Sequence, residues 1–152
     1  MKHQSFMLKS ALLIYIIAVL YITLLAWNYG ASLGPAGPGG RNYNVIPFRS
    51  IYRIATFSPT IIDPIRILLG NVIMFVPLGF LLPTIWRNMR KQMTIVTIGF
   101  LFSFSIELSQ FLFTHRVANI DDVILNSFGT WIGFMIFSFY LWTKQHVLII
   151  TK

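Results

Sequence analysis

Four apolar runs, each about long enough to cross a bilayer as a helix, occupy more than half of this chain. They cover residues 10–27, 65–86, 93–113 and 123–142. A helical span needs about 20 largely apolar residues. Hydrocarbon offers backbone N–H and C=O groups no partner, so such runs must pair their own backbone as helices. Only 11% of residues are charged and 56% are hydrophobic, whereas a soluble domain carries about 25% charged residues. The expected fold is an all-α membrane protein: a small bundle of four transmembrane helices with one long outer loop at residues 28–64. Residues 1–152 are expected to form a single membrane domain. The first run is read as a retained helix. It spans 11–27 without a charge, longer than the about 7–15 residues of a signal peptide's apolar core.

The net charge of +8 would suit nucleic acid, but its placement follows the membrane instead. Lys2 and Lys9 precede the first run, Arg87, Arg90 and Lys91 fill the short second loop, and Lys144 and Lys152 follow the last run. Lys and Arg concentrate in short cytoplasmic loops. The expected location is therefore the plasma membrane, multi-pass, with both termini cytoplasmic and no nucleic-acid partner. The chain has no cysteine, and His3, His115 and His146 are scattered without metal-ligand spacing. Neither a metal nor a cofactor is expected.

Polar residues inside these runs carry the functional signal. The chain has four acidic residues, Asp63, Glu107, Asp121 and Asp122. Glu107 stands within the third run, where a carboxylate costs ~2.5 kcal/mol or more and marks a functional site by default. At ~1.5 Å per helical residue, Glu107 and Asn71 each lie ~9 Å from the outer end of their run, and Asn126 lies ~6 Å past Asp122. Ser103, Glu107, Gln110 and Thr114 recur at i, i+4, i+7 and i+11, a single helix face. Three helices thus bring polar groups to one layer. Asn71, Glu107, Gln110, Asp122 and Asn126 are expected to line a small pocket there. Arg49 and Arg116 would pair with its carboxylates or with an anionic ligand such as a lipid phosphate.

Structural roles compete for the same residues. A buried Glu107 paired to Arg116, Arg66 or Arg49 would only lock helices together. Asp121 and Asp122 would cap the fourth helix, and Asn71 and Asn126 would bridge helices. The Gly129-x-x-x-Gly133 pattern allows close helix approach, either within the bundle or in a homodimer. Pro77 is expected to kink the second helix. In the long loop, residues 30–40 are flexible by composition. Residues 42–53 mix aromatic, apolar and basic groups, as an interfacial anchor or a lid with Arg49 turned inward would.

Four segments occur in a telling order: Asn44-Val-Ile-Pro-Phe48, Asn71-Val-Ile-Met-Phe-Val-Pro-Leu-Gly-Phe80, Ser105-Ile-Glu-Leu-Ser-Gln-Phe111 and Asp122-Val-Ile-Leu-Asn-Ser-Phe-Gly129. With them the chain resembles the VanZ-like membrane proteins, over residues 44–133. Pro47, Phe48, Asn71, Pro77, Gly79, Glu107, Gln110, Arg116, Asp122, Asn126, Gly129 and Gly133 match the pattern. Asn119 departs from it, standing where an acidic residue is common. The resemblance implies tolerance of teicoplanin-type glycopeptides, which act on lipid-linked cell-wall precursors outside the membrane.

Residues and resemblance together lead to a binding or modifying protein of the outer leaflet. Its partner would be a membrane lipid, a lipid-linked cell-wall precursor or a lipoglycopeptide antibiotic. An alternative is an intramembrane enzyme with Glu107 as acid or base and Asp122 orienting Arg116. No His-Glu-x-x-His, Gly-x-Ser-x-Gly or cysteine nucleophile accompanies it. A small transporter or proton relay is the third class, opposed by the uniformly apolar cytoplasmic half of the runs.

Overall fold

The structure, a computed structural model, describes residues 2–26, 43–114 and 116–150. The glycine-rich segment 30–40 lies outside the described residues. Among the described residues four helices are long and apolar enough to cross a membrane, over His3–Leu25, Ile62–Ile85, Gln92–Phe113 and Ile120–His146. We label α1 Lys2–Leu20, which continues into a π-helical turn at Tyr21–Leu25, β1 Tyr43–Asn44 and α2 Arg49–Phe57. Then follow α3 Ile62–Ile85, a 3-10 turn at Arg87–Met89, α4 Gln92–Phe113, β2 Ala118–Asn119 and α5 Ile120–Ile150. The protein is a small multi-pass helical membrane bundle. All four spans start before the expected boundaries, because polar first turns such as that at Asp63 are helical yet score poorly as apolar.

The bundle turns large apolar side chains outward as well as inward. Ile14 and Ile17 of α1, Leu69 and Ile73 of α3, Leu101 and Leu108 of α4 and Phe139 of α5 are all exposed. A soluble monomer rarely shows such continuous apolar surface, whereas acyl chains solvate it without penalty. Inside, Leu12, Val19, Phe75, Leu78, Leu82, Ile95, Ile106, Phe134 and Phe137 form the core.

Glycines set how closely the helices meet. A Cβ on Gly129 would collide with the Val72 carbonyl oxygen of α3, and one on Gly133 with the Val76 carbonyl oxygen. A Cβ on Gly79 would strike the Thr130 carbonyl oxygen of α5, and one on Gly99 of α4 the Thr130 side chain. Close approach through small residues is how membrane helices gain van der Waals contact. The Gly129/Gly133 face is therefore packed against α3 of the same chain. Pro77 and Pro83 both lie within α3. The Tyr15 hydroxyl of α1 donates to the Met74 carbonyl at 2.8 Å, tying α1 to α3.

One end of the bundle carries further structure. β1 pairs in parallel with β2, Tyr43 opposite Ala118 and Asn44 opposite Asn119. This two-residue ladder ties the segment after α1 to the α4–α5 connection. α2 follows at once, and only residues 58–61 separate it from α3. The interfacial segment of the long loop is thus a helix laid at the end where α3 begins and α4 ends.

Candidate functional site

A polar network occupies that end of the bundle, and Asn119 is its hub. β2 holds Asn119 between α4 and α5. Its backbone N–H donates to Glu107 Oε2 at 2.7 Å. Its side-chain amide donates to Asp122 Oδ1 at 3.0 Å and to Ser50 Oγ at 2.8 Å. Its side-chain oxygen accepts from Asn44 Nδ2 at 3.0 Å and from the Asp121 N–H at 3.2 Å. Asn71 of α3 reaches the same carboxylate, donating to Asp122 Oδ1 at 3.1 Å. Asn71, Glu107 and Asp122, from three spans, are therefore joined through few hydrogen bonds. Asn71 lies nine residues past the start of α3, ~13 Å rather than ~9 Å along it, yet still meets Asp122.

Each neighbouring helix adds a layer. Ser103, Glu107 and Gln110 are buried and Thr114 is half-buried, so the expected face of α4 points inward. One turn from the carboxylates, Asn126 Nδ2 donates to Ser103 Oγ at 2.8 Å. Asn126 thus bridges α5 to α4, and its Oδ1 is buried without a partner among the described residues. Gln110 Nε2 donates to the Thr23 carbonyl of α1 at 2.8 Å.

Arg116 is engaged at the end of the first span. Its Nη1 donates to the Thr23 carbonyl and, at 3.2 Å, to the Ile22 carbonyl. Those carbonyls belong to the π-helical turn that ends α1, where the negative end of the backbone dipole favours a cation. Among the described residues Arg116 stands beyond ion-pair distance of Glu107 and Asp122, although its charge acts on both. Arg49 is exposed on α2, rather than turned into the bundle. Glu107 is therefore not half of a helix-locking ion pair.

Asp121 also works differently from a cap of its own helix. It is fully buried and accepts from α2: from the N–H of Phe48, the N–H of Ser50 at 2.8 Å, the N–H of Ile51 at 3.2 Å and the Ser50 hydroxyl. It caps α2 from another helix, supplying the anion that free N–H groups at a helix start attract.

The residues missing from the sequence-based site are Asn44, Ser50, Asn119 and Asp121. Asn44 and Ser50 lie in or beside the Asn44–Phe48 segment. Asn119 was legible only as a departure.

Together these groups present carboxylates from α4 and α5 in one place. Among the described residues Glu107 Oε1 and Asp122 Oδ2 have no hydrogen-bond partner. The arrangement can accept hydrogen bonds or meet a cationic group. Among the described residues no three His, Cys, Asp or Glu side chains are grouped to hold a metal. A groove of about 260 Å³ lies elsewhere, between the end of α2 and the start of α3, lined by Ala55, Ser58 and Ile65 among others. It includes none of the network residues.

A four-span helical bundle with a buried polar network under an end-on helix defines a class of small multi-pass membrane protein. Residues 12–142 match the VanZ/LLP1 family, and the chain belongs to that family. No curated protein and no solved structure matches it.

Proposed function

We propose that this VanZ/LLP1 family member acts at the membrane surface on the α2 side, binding the polar head of a lipid-linked cell-wall precursor or of a lipoglycopeptide. The observation that supports this most directly is the meeting of Glu107 and Asp122 at Asn119 without an ion-pair partner among the described residues. Desolvated carboxylates are kept in a span chiefly where they serve a partner. Asn71 and Asn119 orient one oxygen of Asp122 and leave the other for a ligand. The resemblance to VanZ carries the same direction, glycopeptide tolerance, and the positive-inside pattern would turn this surface outward.

Binding is favoured over intramembrane acid–base catalysis, because the arginine that catalysis would recruit is engaged by the Thr23 and Ile22 carbonyls. A transport route is disfavoured by the apolar core beyond the network, with Phe75, Leu78, Ile95 and Phe134 buried across it. The experiment is teicoplanin tolerance of cells expressing Glu107→Gln, with membrane abundance measured in parallel. Loss of tolerance at normal abundance is the expected result. Tolerance equal to that of the unaltered protein rejects the reading.

A further inference from the structure

Helix α2 has two faces with separate tasks. The inner face is tied down: Ser50 bonds to Asp121 and Asn119, and Ile51 and Ile54 are partly buried. On the other face Arg49, Tyr52, Arg53 and Thr56 recur at i, i+3, i+4 and i+7. All four are exposed. The two guanidinium groups stand one turn apart, with Tyr52 beside them. Neither has a side-chain partner among the described residues. The acids that could neutralise them are engaged elsewhere. Glu107, Asp121 and Asp122 belong to the network, and Asp63 accepts from the Thr60 hydroxyl at 2.8 Å. At the two ends of α2, Phe48 and Phe57 are exposed as well.

Position decides what such a face meets. Asp121 holds the start of α2 to the start of α5, and residues 58–61 join its end to the first turn of α3. The helix therefore lies at the level where the spans leave hydrocarbon, and lipid phosphates lie at that level. A guanidinium fork matches phosphate geometry, and exposed Phe and Tyr seat at the same boundary.

From this we infer that the Arg49–Tyr52–Arg53 face of α2 docks on anionic phospholipid headgroups of the surrounding bilayer. The two arginines hold phosphate, and Phe48 and Phe57 enter the interface. The inference stands apart from the network's own ligand and uses neither Glu107 nor Asp122.

The test is hydrogen exchange of residues 49–57 in the full-length protein, in nanodiscs of phosphatidylcholine alone and of phosphatidylcholine with phosphatidylglycerol. A basic residue near an anionic surface is worth about fivefold in an equilibrium. Exchange is expected to slow by up to about thirtyfold with phosphatidylglycerol, less at high salt. In R49Q/R53Q the two membranes should give equal exchange, while R49K/R53K keeps part of the difference. Equal exchange of the unaltered protein in both membranes overturns the inference, as does a difference that survives R49Q/R53Q. Protection by inorganic phosphate alone, matching that of phosphatidylglycerol, also overturns it, since the face would then be a free-anion site. Native mass spectrometry reads the same question independently of helix stability: the unaltered protein should retain phosphatidylglycerol that R49Q/R53Q releases.

Discussion

The Asp121 carboxylate of α5 receives the Ser50 N–H at 2.8 Å and the Ser50 hydroxyl, so one helix caps another across the end of the bundle. Two more backbone N–H groups, of Phe48 and Ile51, converge on the same carboxylate. D121A removes the acceptor for all of them. Leaving buried donors unpaired costs about 1–3 kcal/mol, and α2 has no fully buried side chain to hold it instead. We expect D121A to raise hydrogen exchange across residues 49–57 while the middle of α3 and α5 stays protected. D121N, which keeps an acceptor oxygen, should fall between. Unchanged protection of α2 in D121A would show that the cap is not what holds it.

Phe48 illustrates how tightly this junction is drawn. It is the only described non-glycine residue with positive φ, at 63°, and its N–H is one of those given to Asp121. A bulky residue there carries strain of about 1–3 kcal/mol. Its side chain is mostly exposed, so little packing is lost on truncation. F48G should therefore leave the thermal midpoint in detergent unchanged or higher, whereas F48V should lower it, because β-branching resists positive φ. A lower midpoint for F48G than for F48V would refute a backbone origin.

Much of this architecture was legible beforehand, and the failures have a common cause. Span positions and the inward face of α4 follow from apolar length and from 3.6-residue spacing, both local properties of a sequence. Counting along helices expects Asn71, Glu107 and Asn126 in one layer; Asn71 meets Asp122 beside Glu107, whereas Asn126 bonds Ser103 one turn further on. What local pattern did not carry was which partner each group would find. Charge alone suits Arg116 to a carboxylate or an anionic ligand, and does not reveal that the Thr23 and Ile22 carbonyls of the π-helical turn accept from it. A carboxylate in the first turn of α5 suits a cap of that helix, yet Asp121 receives its N–H groups from the start of α2. β1 and β2 are two residues each, too short for any alternation to register. The sequence marks Asn119 only by its lack of charge, and that lack makes it the hub. An amide both donates and accepts, as a carboxylate cannot.

That property of Asn119 yields a direct test. N119D would keep the oxygen that accepts from Asn44 and from the Asp121 N–H, but lose the donor shared between Asp122 and Ser50. It would also add a carboxylate beside Asp122 and close to Glu107. At neutral pH we expect N119D to destabilise the protein by about 1–3 kcal/mol from the lost donors alone, and by more from like-charge repulsion. N119A should cost less than N119D. Thermal unfolding in a single detergent checks the order, and N119D matching the unaltered protein would remove Asn119 from the centre of the network.

The glycines give the sharpest contrast. A Cβ at Gly129 or Gly133 meets backbone oxygen of α3, which cannot swing aside as a side chain end can. G129A and G133A are each expected to separate α3 from α5 and cost about 1–3 kcal/mol as overpacking. The separation should also draw Asn71 away from Asp122, 3.1 Å apart in the intact bundle, so these variants should lose both stability and any activity that depends on the network. Gly70 lies in the same helix as Val72, but a Cβ there meets nothing within 4 Å. G70A should then be neutral or stabilising by about 0.5–1 kcal/mol, since alanine restricts the unfolded chain and favours helix. If G129A and G70A unfold at the same temperature, contact between α3 and α5 backbones is not what organises the polar end. If only G129A and G133A fall, the small-residue seam positions Asn71 against Asp122.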